Sequence, residues 1–404
     1  MKRTLLVAVI LACAAVEPAL PGPAVPSFQV DPFWPKPLPN HWLLGSVTGV
    51  AVDARDHVWV VHRGYDSMTA RTEIGAATNP KTAEECCVPA PPVLEFDPSG
   101  KLVGQWGGRG ETYDWPVSPG GIAIDPKGTV WIAAAGPPQI PGAGNAPTRT
   151  RTSQASSSSS PSAGSGTSAP PAPRPPDAHV LKFSTRGEFL LQIGKAGSPG
   201  DSNSTMGLNR PANVELDSNA NELYVADGFG NHRVVVFDAG SGAYKRHWGG
   251  SGEKPDDATQ PPYDPETAPA TQFRTVSCVR IARDGKVYVC DRGNNRIQVF
   301  ERTGKYLTQT VISKETRGTG SVWDLALSRD PQQQFLYVAD GHDQKVFILR
   351  RDTLEIVGTF GDGGRYPGTF YSVGSIAVDS QGNVYTGETL EGKRVQKFIL
   401  KTGR

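Results

Sequence analysis

The sequence has no excess of charge of either sign, and charged residues are few. Lysine and arginine total 41, aspartate and glutamate total 40, and the four types together make up 20% of the 404 residues. Docking on nucleic acid needs a face of clustered lysine and arginine that displaces counterions. The balance of charge therefore argues against a nucleic-acid partner.

Long helices and membrane spans are also missing from the sequence pattern. No long stretch free of glycine and proline places apolar residues at helical spacing, which disfavours helical bundles and coiled coils. Beyond the first residues, no run approaches the roughly 18 apolar residues of a membrane-spanning helix. The 46 glycines and 35 prolines instead indicate many short strands joined by turns.

Residues 1–14 are expected to be an export signal. Two basic residues precede an apolar run over 5–12, and Ala12 and Ala14 fit a small-x-small cleavage site. We therefore expect the mature protein to be secreted or periplasmic. A lipid anchor at Cys13 is an alternative, because apolar residues precede this cysteine.

Four cysteines remain beyond that signal: Cys86, Cys87, Cys278 and Cys290. An even number of cysteines in an oxidising compartment is consistent with disulfides, and four cysteines allow three pairings. Cys278 and Cys290 lie in one predicted blade, where a bridge between them requires that their side chains share a face. No pair has the CxxC spacing, which argues against a cysteine zinc site.

A motif of two short strands occurs six times along the chain. Its first copy is Gly49-Val-Ala-Val-Asp53 followed by Val58-Trp59-Val60. An aromatic residue in the second strand marks every copy: Trp59, Trp131, Tyr224, Tyr288, Tyr337 and Tyr385. A third strand and usually a fourth follow each pair. Six repeats of four strands predict an all-β fold, a single six-bladed β-propeller over 28–404.

Two further features belong to this predicted ring. Only six residues follow Phe398, too few for a turn and a complete outer strand, so the segment around Phe28-Gln29-Val30 is expected to close the ring. Blade 2 carries an insertion over 137–176 that is rich in Ser, Pro and Ala. This insertion is expected to be disordered, because it has little apolar surface to bury.

The repeats resemble NHL-repeat propellers, whose Asn-His-Leu element is seen as Asn231-His232-Arg233. A more specific similarity is to the peptidyl-α-hydroxyglycine α-amidating lyases and their secreted bacterial relatives. It rests on Asp31-Pro-Phe-Trp-Pro-Lys36, Val61-His-Arg-Gly64, Ala226-Asp-Gly-Phe-Gly-Asn231, Cys278-Val-Arg-Ile281 and Gly392-Lys-Arg-Val-Gln-Lys-Phe398. The resemblance implies a zinc ion held by three histidines, a nearby tyrosine, an arginine for the substrate carboxylate, and calcium in the central channel.

The positions that the resemblance assigns to the zinc ligands are not histidines. They are Gly120, Ser277 and Gly374. Phe229 occupies the tyrosine position, and Ser375 occupies the position of an acid that helps to hold calcium, whereas Arg63 is retained at the arginine position. Glycine has no side-chain ligand atom and serine is a poor one, so we expect neither zinc nor calcium to bind.

We therefore expect a propeller that binds a small molecule, a peptide or a protein at the channel mouth without zinc chemistry. Arg63 and Arg292 are candidates to hold a carboxylate or phosphate through paired hydrogen bonds. The other candidates on that face are His62, Asp227, Asp291, Asp340, His342 and Glu388. For each aspartate, the simpler interpretation is that its carboxylate accepts backbone N–H bonds in the following loop.

Two alternatives stay open at this point. One is an active peptidylamidoglycolate lyase-like enzyme that uses a rearranged site. The other is a scaffold whose rim binds protein partners, which the fold alone does not decide.

Overall fold

The structure is a computed structural model that describes residues 24–68, 73, 83–137 and 175–401. The predicted export signal over 1–14, Cys13, and the predicted insertion over 137–176 except its end residues lie outside the described residues. Strands and turns make up the described chain, apart from three short 3-10 helices. These are η1 (Gly64–Ser67), η2 (Gly250–Gly252) and η3 (Arg292–Asn294). No helix within the described ranges has the length and apolar character needed to cross a membrane.

Six four-stranded antiparallel sheets form the six blades. Blade 1 consists of β3 (Val47–Val52), β4 (Val58–His62), β6 (Val93–Phe96) and β7 (Leu102–Trp106). Blade 2 consists of β8 (Pro119–Asp125), β9 (Thr129–Ala134), β10 (His179–Ser184) and β11 (Phe189–Gly194). Blade 3 consists of β12 (Asn213–Asp217), β13 (Glu222–Asp227), β14 (Arg233–Asp238) and β15 (Tyr244–Trp248).

The remaining blades repeat this order. Blade 4 consists of β16 (Val276–Ile281), β17 (Val287–Asp291), β18 (Arg296–Phe300) and β19 (Tyr306–Val311). Blade 5 consists of β20 (Asp324–Leu327), β21 (Phe335–Asp340), β22 (Lys345–Arg350) and β23 (Ile356–Phe360). Blade 6 consists of β24 (Val373–Val378), β25 (Val384–Glu388), β26 (Arg394–Lys401) and β1 (Ser27–Asp31). A parallel pair, β2 (Trp42–Leu43) and β5 (Val88–Pro89), lies outside the blades.

The N-terminal strand closes the ring, as the sequence predicts. β1 is the outer strand of blade 6, where Phe28 pairs with Leu400 and Val30 pairs with Phe398 of β26. The Phe28 ring also packs against the rings of Tyr337 and Phe360 in blade 5, at 5.3 and 4.8 Å between centroids. The first and last described strands therefore share one sheet, and this strand also packs on the neighbouring blade.

The hydrophobic core lies between neighbouring blades. The second strand of each blade is covered on both faces, and its aromatic residue is at most 2% exposed in all six blades. One cluster, for example, joins Tyr224 and Trp248 of blade 3 to Val289 and Phe300 of blade 4. The innermost strands of successive blades contact each other around the ring, from β3 to β24 and back to β3. This arrangement leaves a channel along the axis, lined by the inner strands.

The structure pairs Cys278 with Cys290 and Cys86 with Cys87. Cys278 on β16 lies directly opposite Cys290 on β17, so the two side chains share a face as the sequence analysis required. Disulfides persist in oxidising compartments. The two bridges therefore indicate an extracellular or otherwise oxidising environment.

Candidate ligand-binding site at the channel mouth

A cavity of about 700 Å³ opens at the end of the channel where the inner strands begin. Equivalent repeat positions at the start of the inner strand, or directly before it at Ala212 and Trp323, line the cavity in all six blades: Thr48, Gly120, Ala212, Ser277, Trp323 and Gly374. We call these six residues the inner ring. At Thr48, Gly120, Ser277 and Gly374 the pairing with the second strand shifts register, as in a β-bulge. Bulges turn residues out of the ladder and are frequent next to functional sites.

Arg63 enters this cavity from the end of β4. Its backbone N–H donates to the Ser46 carbonyl at 3.0 Å, which fixes the residue at the rim. Its side chain lines the cavity, and the Nε is fully buried with no hydrogen-bond partner within the described ranges. Burial, together with the charge of Arg210, lowers the pKa of Arg63 to about 10. The guanidinium therefore stays charged at neutral pH, with no anionic partner in the part of the chain that the structure describes.

Arg292 lines the same cavity between two aromatic rings. Its guanidinium carbon lies 4.7 Å from the centre of the Trp323 ring and 5.2 Å from that of Phe229. Cation–π contacts of this kind hold the guanidinium plane in place without neutralising its charge. The Arg292 Nε is also buried without a partner in the described chain, and burial lowers the pKa of Arg292 to about 10.

Two further arginines complete the positive lining. Arg210 donates from Nη2 to the Pro137 carbonyl at 2.6 Å, and Arg274 donates from Nη1 to the Pro261 carbonyl at 2.7 Å. The cavity lining over the described residues contains no aspartate or glutamate. The mouth of the channel is therefore a positively charged cavity with two guanidinium groups that have no acid partner among the described residues.

His62 lies behind the cavity wall. It is completely buried, and its Nδ1 accepts the N–H groups of Gly45 and Gly64 at 3.1 and 3.0 Å. Because Nδ1 is an acceptor, Nε2 carries the proton and donates to the Pro91 carbonyl at 3.0 Å. Burial lowers the pKa of His62 to about 4, so the ring is neutral and its two nitrogens already have partners.

The acidic candidates likewise do not line the cavity. Asp227, Asp291 and Glu388 end their second strands and accept N–H groups from the loop that enters the inner strand of the same blade. Each also forms an ion pair with an arginine at the start of the third strand: Arg233, Arg296 and Arg394. We call these three carboxylates and His62 the loop anchors. They position the loops around the cavity, and none of them lines it.

Asp340 occupies the equivalent place in blade 5 but lacks the arginine. Its Oδ1 accepts the N–H groups of His342 and Asp343 at 2.9 Å, as expected for an aspartate that caps its following loop. Oδ2 is buried and has no hydrogen-bond partner in the described part of the chain. Burial raises the pKa of Asp340 to about 7. Lys345 takes the place of the arginine in this blade, so Asp340 lacks that ion pair.

A buried polar cluster forms the floor of the cavity. Arg280 donates from Nη1 to the Asn213 side-chain oxygen at 3.0 Å and pairs with Asp324 at 2.6 Å. Asn213 lines the cavity at the mouth, whereas Arg280 lines a second cavity of about 520 Å³ at the opposite end. The cluster therefore divides the channel into two chambers.

The residues at the predicted zinc positions do not fit a three-histidine site. A Cβ added at Gly120 would lie 2.5 Å from the Ala212 carbonyl oxygen and 2.9 Å from the Ala135 Cβ, so the backbone leaves no room for a side chain. The Ser277 hydroxyl donates to the Val322 carbonyl at 3.0 Å. A Cβ at Gly374 would lie 3.1 Å from Thr389 Cγ2. No ligand atom of the kind zinc prefers points inward from these three positions.

The residues at the predicted calcium position do not fit a calcium site either. Ca²⁺ takes six to eight oxygen ligands, most of them carboxylates and carbonyls. Ser375 contributes only a hydroxyl at the predicted acid position, and the carboxylate of Asp324 is already paired with the Arg280 guanidinium. The Asp324 carboxylate near Ser375 is thus already balanced by a guanidinium group.

One group of potential metal ligands exists among the described residues, at the other end of the molecule. It consists of Asp53, His57 and Glu95. The Arg55 guanidinium pairs with both carboxylates, at 2.9 Å to Asp53 and 2.8 Å to Glu95, and His57 contacts Glu95 at 2.7 Å. These contacts explain the cluster as an ion-pair network.

The predicted site residues thus fall into two sets. The cavity is lined by Arg63, Gly120, Phe229, Ser277, Arg292, His342 and Gly374, whereas His62, Asp227, Asp291, Asp340 and Glu388 lie behind its wall. Arg210, Arg274 and Trp323 also line the cavity but were not among the predicted site residues. Trp323 occupies the same repeat position as Gly120, and the arginines lie two or three residues before that position in their blades, so a register of all six repeats would have identified them.

Known proteins are similar to this chain, both in the repeat and over much of its length. The NHL repeat model matches residues 208–237 and 273–300, which contain the first three strands of blades 3 and 4 except the last residue of β14. Peptidyl-glycine alpha-amidating monooxygenase of Mus musculus is 23% identical over 409 residues, covering 96% of this chain and 33% of the mouse protein. NHL repeat-containing protein 3 of Homo sapiens is 25% identical over 233 residues, covering 54% of this chain and 58% of that protein.

The solved structure titled "Streptogramin B lyase structure" covers 93% of this chain and 98% of its own, with a TM-score of 0.49 and 10% identity. The chain spans about a third of the length of the mouse relative. The repeat matches and the mouse relative, together with the six blades, show an NHL-repeat propeller that resembles the amidating enzymes.

Proposed function

We propose that this protein binds an anionic ligand in the cavity at the channel mouth and does not use a three-histidine zinc site. Arg63 and Arg292 are the anion contacts in this proposal. The observation that carries it is the pair of guanidinium groups, which line a cavity without carboxylates and have no acid partner within the described chain.

Physical chemistry favours this role for the two arginines. A charge withdrawn from water is unfavourable unless it is paired, and partly buried arginines in proteins are usually held by carboxylates. An incoming carboxylate or phosphate would supply the missing partner through two parallel N–H···O bonds. The rings of Trp323 and Phe229 hold Arg292 before a ligand arrives, which lowers the entropy lost on binding.

The relatives suggest the first ligand to test. The mouse relative is named as an enzyme of peptidyl-glycine, and a peptide that ends in glycine carries a carboxylate at its C-terminus. We therefore propose such a peptide as a ligand class. We also propose that the protein acts in a secreted or periplasmic location, which the two disulfides support. Loss of lyase chemistry remains part of the proposal, supported by the absence of room at Gly120.

Calorimetric titration with two matched peptides tests this function. N-acetyl-Tyr-Val-Gly with a free C-terminal carboxylate should bind at least about tenfold more tightly than its C-terminal amide, because a charge-assisted hydrogen bond contributes about 1.5 to 3 kcal/mol. Arg63→Gln and Arg292→Gln should each remove this preference. Arg186→Gln is the matched control, since Arg186 is exposed in the loop between β10 and β11 and is not among the cavity residues.

Two results would contradict the proposal. Equal affinity for the acid and the amide would show that no anion contact exists. One tightly held zinc ion per purified chain, together with turnover of an α-hydroxyglycine peptide, would support the active-lyase alternative instead.

A further inference from the structure

We infer that the cavity selects a ligand carrying two negative charges, such as a phosphate monoester or a dicarboxylate, and that Arg210 and Arg274 read the second charge. This inference rests on the proposed function and specifies the ligand class of the same site. A single carboxylate bound by Arg63 and Arg292 would leave Arg210 and Arg274 of the positive lining without an anion.

All four arginines line the same cavity. Arg210 lies near Arg63, whose charged form it disfavours electrostatically. The Arg274 side chain passes over Gly293, where an added Cβ would lie 2.7 Å from its Cδ, and Gly293 directly follows Arg292 in sequence. Arg210 and Arg274 therefore extend the positive lining beyond Arg63 and Arg292.

Phe229 contacts both Arg210 and Arg292. Its carbonyl oxygen accepts a long hydrogen bond from Arg210 Nη1 at 3.4 Å, and its ring faces the Arg292 guanidinium at 5.2 Å. Arg210 and Arg292 thus contact the same residue of the cavity lining. The cavity of about 700 Å³ is in the range of cavities that hold small organic molecules.

The nearby acids do not neutralise this lining. Asp177 favours the charged form of Arg210, but its oxygens accept backbone N–H groups and no ion pair joins the two residues within the described chain. Asp291 similarly acts on Arg274 while it is paired with Arg296. Because Arg63 and Arg292 have no acid partner in the described chain at all, about two positive charges remain for a ligand to balance.

Arg210 and Arg274 also support loops, which is the competing explanation for their presence. Each donates one hydrogen bond to a proline carbonyl, at Pro137 and Pro261. Neither bond uses the whole guanidinium group, which carries five N–H donors. The Nε of Arg210 is buried with no partner among the described residues, so the support role leaves this donor unused.

Three small probes of graded charge separate these explanations. Benzoate carries one negative charge, phenyl phosphate carries two on one group at pH 8, and isophthalate carries two on separate groups. Titration calorimetry of the full chain at constant ionic strength should give at least about tenfold tighter binding for phenyl phosphate or isophthalate than for benzoate. The tighter of the two identifies the chemical source of the second charge.

Variants then assign the second charge to its contacts. Arg210→Gln or Arg274→Gln should weaken binding of the doubly charged probe more than binding of benzoate, and should thereby remove most of the preference. Arg186→Gln, the exposed control, should change none of the three affinities. Thermal unfolding of each variant, followed by circular dichroism, confirms that the compared chains are folded.

The outcomes distinguish this inference from the function on which it rests. If benzoate binds as tightly as both doubly charged probes, or if Arg210→Gln and Arg274→Gln weaken all three probes equally, the selection for two charges is refuted and anion binding stands. If no probe binds and the acid peptide binds no better than its amide, both proposals fail.

Discussion

The lack of space at Gly120 makes a measurable prediction about stability. Gly120→Ala adds one methyl group whose carbon would lie 2.5 Å from the Ala212 carbonyl oxygen and 2.9 Å from the Ala135 Cβ. Carbon atoms in contact prefer separations of about 3.5 to 4.0 Å, so the added atom is too close by about 1 Å. The nearest atom belongs to the backbone of the neighbouring blade, which a rotamer change does not move.

The expected cost is that of an overpacked core. Inserting one carbon into a packed site typically destabilises a protein by about 1 to 3 kcal/mol, because backbone and side chains must shift. Urea unfolding followed by tryptophan fluorescence should therefore show a lower midpoint for Gly120→Ala with an unchanged slope. Gly240→Ala is the matched control, since a Cβ there finds its closest neighbour, Asp238 Oδ1, at 3.3 Å in an exposed turn.

The same clash bears on a variant that carries histidine at the three predicted zinc positions. A chain with Gly120→His, Ser277→His and Gly374→His should be destabilised further and bind no zinc in a competition assay with a chromophoric chelator. An unchanged urea midpoint for Gly120→Ala would refute the packing argument. Tight zinc binding by the triple variant would show that the backbone of β12 moves to admit the ring.

Three other predictions follow from buried groups. Arg233→Met should lower the free energy of unfolding by about 3 to 5 kcal/mol in urea titrations, because it leaves the fully buried Asp227 carboxylate without its cation; the double variant with Asp227→Asn should recover part of the loss. Replacing Cys278 and Cys290 with alanine should cost about 3 kcal/mol in the same assay, since the bridge closes a loop with a sequence separation of 12. Burial raises the pKa of Asp340 to about 7, so the folded state holds a proton that the unfolded state releases near pH 4. The free energy of unfolding should therefore fall as pH rises from 4 to 7, by at most about 1.4 kcal/mol per pH unit from this group, and Asp340→Asn should abolish that contribution.

The sequence predicted the architecture because the propeller repeats a local signal six times. Each copy carries a buried aromatic residue at the same position and the same strand alternation. A wrong strand assignment in one blade would therefore not alter the predicted number of blades. The closing strand followed from the chain length, since too few residues remain after Phe398 for a fourth strand. The disulfide between Cys278 and Cys290 needed the register of two adjacent strands, which the repeat left as one of three pairings.

The site was less predictable, because side-chain direction at the ends of strands depends on loop conformation. The pattern places His62 and Arg63 side by side at the rim, yet His62 turns inward as an acceptor of two N–H groups while Arg63 lines the cavity. Arg210 lines the cavity from a left-handed backbone conformation, with φ at 55°, which an arginine rarely adopts and a hydrophobic pattern does not indicate.

The two arrangements of acid and arginine in the molecule explain why the cavity is positive. In blades 3, 4 and 6 an arginine at the start of the third strand turns back onto the loop anchor of its own blade, and both charges are held behind the wall. Arg63 and Arg292 occupy the loop between the second and third strands, beyond the reach of these carboxylates. A charge at that position faces the cavity or the solvent. The propeller thus pairs these three loop anchors within their own blades, whereas Arg63 and Arg292 have no acid partner among the described residues, and the proposed ligand would supply one.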